Sequence, residues 1–153
     1  MKLNTILKQI LIFTLLCAPT YGRLGETKDE CDKRYGEPVA SAGRNRVYVK
    51  NGFKIGILFA YDKATILMIS HVDKTDKFNL IEITAILKSN ARGRQILQIT
   101  KDNVKDESFY VKNPNALFAY QMDEDTIVLT DQESRLKNQE QSTSEAKKSV
   151  EGF

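Results

Sequence analysis

The sequence predicts an α+β fold in which two helix-plus-β-meander repeats form one antiparallel sheet, with the helices on one face. The words YVKN and LFAY each occur twice in the same order, at 48–51 and 58–61 and again at 110–113 and 117–120. Each pair of words follows a segment that carries the start signals of a helix. A duplicated unit explains both observations, because two such units can join their strands and bury a shared core.

The first predicted helix lies within residues 26–36. Thr27 and Glu30 have the spacing of a capping box, in which the hydroxyl and the carboxylate each accept a hydrogen bond from a free backbone N–H. Gly36 and Pro38 follow, and this pair is typical of the end of a helix.

The second predicted helix covers residues 79–91 and repeats this pattern with Asn79 as the cap and Glu82 three residues later. Aligning the two glutamates places Cys31 opposite Ile83, which predicts that both helices bury residues at matching positions.

Strand-like segments rich in β-branched and aromatic residues follow each helix. The first half contains 46–51, 53–61 and 64–71, with turn signals at Asn51-Gly52 and Asp62-Lys63. The second half contains 94–100, 108–112, 116–121 and 126–130, with turns at 113–115 and 123–125. The second half is therefore predicted to hold one strand more than the first.

The spacing between the halves drifts along the chain. The offset is 52 residues at Glu30 and Glu82, 62 at YVKN and 59 at LFAY. Insertions in loops and the added strand explain the drift. The alternative is that common strand words recur by composition alone.

The capped helix, its glycine-proline turn and the meander resemble the folds of β-lactamase inhibitor protein and of the SmpA/OmlA-like small lipoprotein that assists barrel assembly in the outer membrane. More closely, the chain resembles small exported bacterial proteins of unknown function. That resemblance involves an RYG-x-P turn at 34–38, a Y-x-K-x-G-x-x-I hairpin at 48–55 and a terminal Gly152-Phe153. It implies the fold and an envelope location, and it implies no activity.

Residues 1–22 have the pattern of a secretory signal peptide, with Lys2 and Lys8 before a short apolar run at 10–18. The run is shorter than the roughly 20 residues that span a bilayer. We therefore expect cleavage near Gly22 and a periplasmic or secreted protein without a membrane span. Lipid attachment at Cys17 is the alternative.

Removal of this segment takes away two lysines and no acid, so the net charge falls from +3 to +1. Such a balance does not indicate a nucleic-acid-binding protein. Residues 23–130 are predicted to form the duplicated α+β domain. Residues 131–153 are predicted to form a polar, partly helical or disordered tail, although Val150 and Phe153 could instead dock as an apolar hook.

No catalytic, cofactor or metal site is predicted. His71 is the only histidine, and a catalytic triad would need a serine and an acid beside it. Cys31 is predicted to be a small buried residue rather than a nucleophile, because it aligns with the core position of Ile83. The acids at 123–125 lack the further spaced ligands of a calcium loop, so we expect a hairpin tip.

Basic and aromatic residues at related places in the two halves are the candidates for binding a partner. Guanidinium groups suit carboxylates and acidic partner surfaces, and exposed tyrosines can anchor an interface. The candidate partner-binding residues are Arg44, Arg46, Arg92, Arg94, Tyr48 and Tyr110.

Together these features predict an exported, non-catalytic protein-binding or envelope-scaffolding module that recognises a protein and uses no cofactor. A protein inhibitor of a secreted hydrolase is the first alternative. A small hydrolase that uses His71 or Cys31 is the second.

Overall fold

The computed structural model describes residues 23–98, 115–123 and 125–151. Over these residues the chain is an α+β protein with one mixed sheet of seven strands and three helices. The helices are α1 (Lys28–Tyr35), α2 (Leu80–Ala91) and α3 (Gln132–Glu151), and the strands are β1 (Ala40–Ala42), β2 (Asn45–Lys50), β3 (Phe53–Ala60), β4 (Lys63–His71), β5 (Ile96–Gln98), β6 (Leu117–Asp123) and β7 (Thr126–Asp131). The signal segment 1–22, the strand predicted at 108–112 and the second YVKN word with Tyr110 lie outside the described residues.

Both predicted capping boxes are formed. Thr27 Oγ1 accepts a hydrogen bond from the N–H of Glu30 at 3.1 Å, and Glu30 Oε2 accepts one from the N–H of Thr27 at 2.7 Å. Asn79 and Glu82 make the same exchange, with both distances 3.0 Å. Each helix therefore begins directly after its predicted cap, and α1 ends before Gly36, whose φ is 87°.

Left-handed backbone conformations form the two tight turns that join β2 to β3 and β3 to β4. Asn51 (φ 51°) and Gly52 (φ 82°) join β2 to β3, as predicted, and both residue types adopt positive φ readily. The next turn lies one residue earlier than the predicted Asp62-Lys63. Tyr61 (φ 47°) and Asp62 (φ 60°) form it, because the register pairs Ala60 with Lys63 and leaves these two residues as the loop.

The strands follow the order β1-β2-β3-β4-β7-β6-β5. Every neighbouring pair is antiparallel except β5 and β6, so the prediction of a wholly antiparallel sheet is wrong at that edge. Parallel neighbours need a connection of roughly a dozen residues or more, and the stretch 99–116 is long enough to supply it. The short edge strand β1 is an addition to the predicted set.

The main core draws on α1, α2 and alternate residues of the central strands. Ile55, Ile57 and Phe59 of β3 point into it, and Leu67 of β4 pairs with Leu129 of β7 at the junction of the two halves. Its buried members are Leu24, Cys31, Tyr35, Tyr48, Ile55, Ile57, Phe59, Ala64, Leu67, Ile69, Ile86, Ala91, Leu117, Ala119, Ile127 and Leu129. This shared cluster joins the β3–β4 and β6–β7 hairpins through apolar contact.

The two copies of LFAY present different residues to this core. Phe59 belongs to the main cluster, whereas Phe118 belongs to a second cluster with Ala116, and Leu117 takes the main-core position. Successive residues of a strand point to opposite faces. The two copies of LFAY, which lie 59 residues apart, therefore point equivalent residues to opposite faces of the sheet. An alignment of β3 with β6 that keeps equivalent residues on the same face needs an even offset.

The segment predicted to be a polar, partly helical or disordered tail contains the 20-residue helix α3. Asp131 Oδ1 accepts a hydrogen bond from the N–H of Ser134 at 2.7 Å, as an N-cap residue does. The helix contacts β3, β4 and β7. The alternative prediction, that Val150 and Phe153 dock as an apolar hook, concerns side chains that lie outside the described part of the structure. Among the helices described here, none combines the length and the apolar character that crossing a membrane requires.

Candidate functional site

A cleft of about 310 Å³ lies where four separate parts of the chain meet. These parts are the segment before α1, the β3–β4 turn, the end of α2 and the first two turns of α3. We call it the basic cleft, and its lining comprises Leu24, Gly25, Lys63, Ala64, Thr65, Arg92, Arg94, Asp131, Glu133, Ser134 and Lys137. Four of these residues are cationic and two are anionic, so the lining carries an excess of positive charge.

An ion pair braces one wall of the basic cleft. Arg94 Nη1 donates to Asp131 Oδ2 at 2.6 Å, while its other nitrogens donate to the carbonyls of Asn90 and Ala91, both at 3.3 Å. Those carbonyls belong to the last turn of α2, where a cation is favoured by the helix dipole. Because Asp131 also caps α3, the pair fixes the end of α2 against the start of α3.

The remaining cations of the cleft differ in their pairing. Lys137 Nζ lies 2.5 Å from Glu133 Oε1, one turn away on α3. Lys63 and Arg92 are exposed, and neither forms a salt bridge with any residue of the described ranges. Both act at longer range on Glu30, whose pKa is lowered first by hydrogen bonds from the α1 N-cap residue and further by these two cations.

Two bulky residues at this site hold left-handed backbone conformations. Arg92 forms the C-cap of α2 with φ 48° and ψ 42°, and Tyr61 has φ 47° in the β3–β4 turn. The Tyr61 side chain is 55% exposed, and its N–H donates to Gln141 Oε1 at 2.9 Å. Gln141 follows Lys137 by one turn on the same face of α3, so the Tyr61 turn adjoins the cleft.

The candidate residues Arg46 and Tyr48 lie outside the basic cleft and contact α1. Arg46 Nη1 donates to Asp32 Oδ2 at 2.5 Å, and the Tyr48 hydroxyl donates to Asp32 Oδ1 at 2.8 Å. Burial acts to raise the pKa of Asp32, but these two hydrogen bonds prevail and hold it below its usual value. Tyr48 has no exposed surface. Both residues therefore fasten α1 to β2, and Tyr48 is a core residue rather than an exposed anchor.

Arg44 reaches the second half of α3. Its guanidinium donates to Asn138 Oδ1 at 3.4 Å and to Ser142 Oγ at 3.1 Å, and it lies 3.5 Å from Glu145 Oε2. Of the candidate arginines, the structure thus brings only Arg92 and Arg94 together in one cleft.

Cys31 lies in the core with no exposed surface. Burial raises the pKa of its thiol to about 12, with further increases from the nearby Glu26 and Asp32 carboxylates. Thiolate is the nucleophilic form of cysteine, so this position favours packing over catalysis.

His71 is held between two aromatic rings. Its ring centroid lies 4.9 Å from that of Phe53 and 4.6 Å from that of Phe78. Its nitrogens contact the carbonyl oxygen of Asp76 and the carboxylate of Glu82, both at 3.3 Å. These contacts tie the end of β4 to the start of α2 and include no serine or cysteine nucleophile. The described residues also contain no group of three or more acids, histidines or cysteines placed to hold a metal ion.

Comparison of the chain with protein-family models, with curated proteins and with solved structures finds no match. The site therefore has to be interpreted from its own geometry.

Sequence reasoning finds two members of the basic cleft and misses the others. Arg92 and Arg94 stand out because they flank a glycine directly after a helix. Lys63, Asp131 and Lys137 are distant from them in sequence, and no local pattern connects the three. Tyr61 carries one signal in the sequence, since it ends the first LFAY word at the position that Tyr120 takes in the second.

Proposed function

We propose that the chain is an exported, non-catalytic protein-binding module whose basic cleft receives an acidic segment of a partner protein. The observation that carries the proposal is the pair of exposed cations, Lys63 and Arg92, which stand without a salt bridge in the described structure beside the wall braced by Arg94 and Asp131. Guanidinium and ammonium groups held in this way suit carboxylates.

The size and surroundings of the cleft favour a peptide segment as its occupant. A volume of about 310 Å³ accommodates one or two side chains, and the exposed Tyr61 is separated from the cleft residue Lys63 by one residue. Tyrosine and arginine are the residue types that dominate binding energy at protein interfaces.

The contacts of the two nucleophile-like candidates support a non-catalytic role. A hydrolase would need Cys31 or His71 next to a substrate, yet Cys31 is fully buried and His71 is enclosed by Phe53, Phe78 and Glu82. Each of these residues has a packing role that accounts for its surroundings.

We also propose that the two halves arose by duplication and that α1 and α2 lie on one face of the sheet. The support is the matching pair of capping boxes, the strand order in which the β3–β4 and β6–β7 hairpins flank one junction, and the presence of Cys31 and Ile86 in one core cluster. The resemblance to small exported bacterial proteins motivates the envelope location.

The function can be tested by immobilising the protein and capturing partners from an envelope and extracellular fraction, with detection by mass spectrometry. We expect a protein that binds the natural chain and is lost with the double substitution Lys63→Glu and Arg92→Glu, because acids in both positions repel an acidic segment. Binding should also weaken as salt is added, since exposed charges are screened.

Lys74→Glu is the matched control, because Lys74 is an exposed loop lysine outside the cleft lining. Capture that survives the double substitution, or that Lys74→Glu abolishes equally, would contradict the proposed function. A captured hydrolase that loses activity when bound would assign the protein to the inhibitors.

A further inference from the structure

We infer that Tyr61 and Arg92 act together as a recognition pair for an acidic residue that stands next to an aromatic one in the partner segment. In this arrangement Arg92 and Lys63 hold the carboxylate, and the Tyr61 ring packs against the neighbouring aromatic side chain. The inference depends on the proposed function, because it specifies the chemistry that the basic cleft selects.

Tyr61 and Arg92 share an unusual backbone conformation. The described residues contain four non-glycine positions with positive φ, namely Asn51, Tyr61, Asp62 and Arg92. Asparagine and aspartate tolerate the left-handed region, whereas tyrosine and arginine are strained there. Strain of this kind persists where the surrounding structure fixes it, and it concentrates at functional sites.

Neither the Tyr61 nor the Arg92 side chain makes a contact within the described fold that would explain why a strained residue occupies its position. The Tyr61 side chain makes no hydrogen bond or ring contact with a described residue, and the turn is held by the backbone N–H that bonds Gln141. Asparagine or glycine would keep that backbone bond and relieve the strain. Arg92 is likewise exposed and forms no salt bridge with the described residues.

Tyr61 and Arg92 both neighbour the basic cleft. Tyr61 is separated from the cleft residue Lys63 by a single residue, and Gln141, to which it bonds, follows the cleft residue Lys137 by one helical turn. Arg92 lines the same cleft, and its charge acts together with that of Lys63 on Glu30. The cations that would hold a ligand are therefore neighbours of Tyr61 in the fold.

The side chains at this site define the chemistry of the ligand. Arginine and lysine at the cleft define a carboxylate, and an exposed tyrosine ring favours an aromatic partner through offset or edge-to-face packing. An acidic residue directly beside phenylalanine or a similar residue satisfies both requirements in one short segment.

The inference can be tested with two fluorescein-labelled peptides, acetyl-Gly-Glu-Phe-Glu-Gly and acetyl-Gly-Glu-Ala-Glu-Gly, by fluorescence anisotropy at low ionic strength. We expect the natural chain to prefer the phenylalanine peptide by about threefold to tenfold, the range for an aromatic pair. Tyr61→Asn should remove this preference and leave the affinity for the alanine peptide unchanged. Tyr61→Phe should keep the preference, and Arg92→Gly should weaken binding of both peptides.

Thermal unfolding separates recognition from a structural role. We expect Tyr61→Asn and Arg92→Gly to melt at the same temperature as the natural chain or above it, because both substitutions suit positive φ. A lower melting temperature for Tyr61→Asn would show that the ring supports the fold and would overturn the inference.

The remaining outcomes distinguish the inference from the proposed function. Equal affinity of the natural chain for the two peptides, or a preference that Tyr61→Asn retains, would overturn the inference while leaving an acid-binding cleft in place. Failure of both peptides to bind, or binding that Arg92→Gly does not weaken, would overturn the cleft itself. Lys74→Ala is the control and should bind both peptides as the natural chain does.

Discussion

Cys31 is fully buried, and burial raises the pKa of its thiol to about 12. Since thiolate is the reactive form, we expect the native thiol to resist a disulfide reagent such as 5,5′-dithiobis(2-nitrobenzoate) at pH 8. The rate of reaction, followed by absorbance with Cys17 replaced by Ser, should follow the small population of unfolded chains. Complete reaction in guanidinium chloride is the control. Rapid labelling of the native chain would contradict both its burial and its packing role.

The Asp32 carboxylate gives the fold a dependence on acid. Its pKa is lowered in the folded state by hydrogen bonds from Arg46 and Tyr48, which outweigh the opposing effect of burial. A depressed folded pKa contributes stability that is present above the unfolded value of about 4 and is lost as the pH falls through the folded value.

Asp32→Asn should therefore reduce the free energy of unfolding at pH 7. We expect a loss of only about 1 kcal/mol, because the ion pair between Arg46 and Asp32 is partly exposed. The difference between the natural chain and Asp32→Asn should narrow below about pH 4, where the natural carboxylate becomes protonated in the unfolded chain. Urea unfolding measured between neutral and acidic pH gives the comparison. Asp76→Asn, which changes an exposed loop acid, is the control. A difference that stays constant with pH would contradict this account.

At the scale of single elements, local patterns predict helix starts and one of the tight turns. The capping boxes at Thr27 and Asn79 depend on residues three positions apart, and the Asn51-Gly52 turn depends on residues that accept positive φ. Such signals are complete within a few residues. The predicted turn at Asp62-Lys63 lies one residue later than the observed turn at Tyr61-Asp62, because nothing in the sequence indicates that tyrosine occupies the left-handed region.

Helix α3 shows the limit of periodicity. Its sequence, QESRLKNQEQSTSEAKKSVE, has no continuous apolar face. The contacts that hold it to the sheet are polar: Arg44 bonds Asn138 and Ser142, and the Tyr61 N–H bonds Gln141. A helix attached by polar groups cannot be recognised from an apolar stripe, which is why the sequence predicts only a polar, partly helical or disordered tail.

Because these attachments are partly exposed, Arg44→Ala should loosen α3 without unfolding the sheet. We expect faster amide exchange across residues 138–145, equivalent to a loss of about 0.5–1 kcal/mol in local stability. Protection of β3 and β4 should remain native. Hydrogen–deuterium exchange read by mass spectrometry measures both regions. Arg92→Ala removes an arginine that does not contact α3 through a salt bridge and is the control. Unchanged exchange in α3 would show that Arg44 does not hold it.

At the scale of the whole molecule, the basic cleft exists only after folding. It joins Lys63, Arg92 and Lys137, which come from three elements far apart in sequence. Charge counting along the chain gives a small net value and does not reveal this local excess. Of the candidate arginines, Arg92 and Arg94 both line this cleft, whereas Arg44 bonds α3 and Arg46 bonds Asp32.

The junction between β4 and β7 determines whether the two halves unfold together. Leu67 and Leu129 pair there and both are fully buried. Leu129→Ala removes buried apolar atoms at the junction and should lower the free energy of unfolding by about 2–5 kcal/mol. We expect the unfolding transition to remain single, because the core contacts that stabilise one hairpin also stabilise the other.

Hydrogen exchange should then show that β2–β3 and β6–β7 lose protection in parallel in Leu129→Ala. Val49→Ala is the matched control, because Val49 is 46% exposed and its truncation should change stability by no more than about 0.5 kcal/mol. If β2–β3 keeps native protection under conditions in which β6–β7 exchanges freely, the halves are separate folding units. The sheet would then be a contact between two domains, and the basic cleft, which spans both halves, would open whenever that contact breaks.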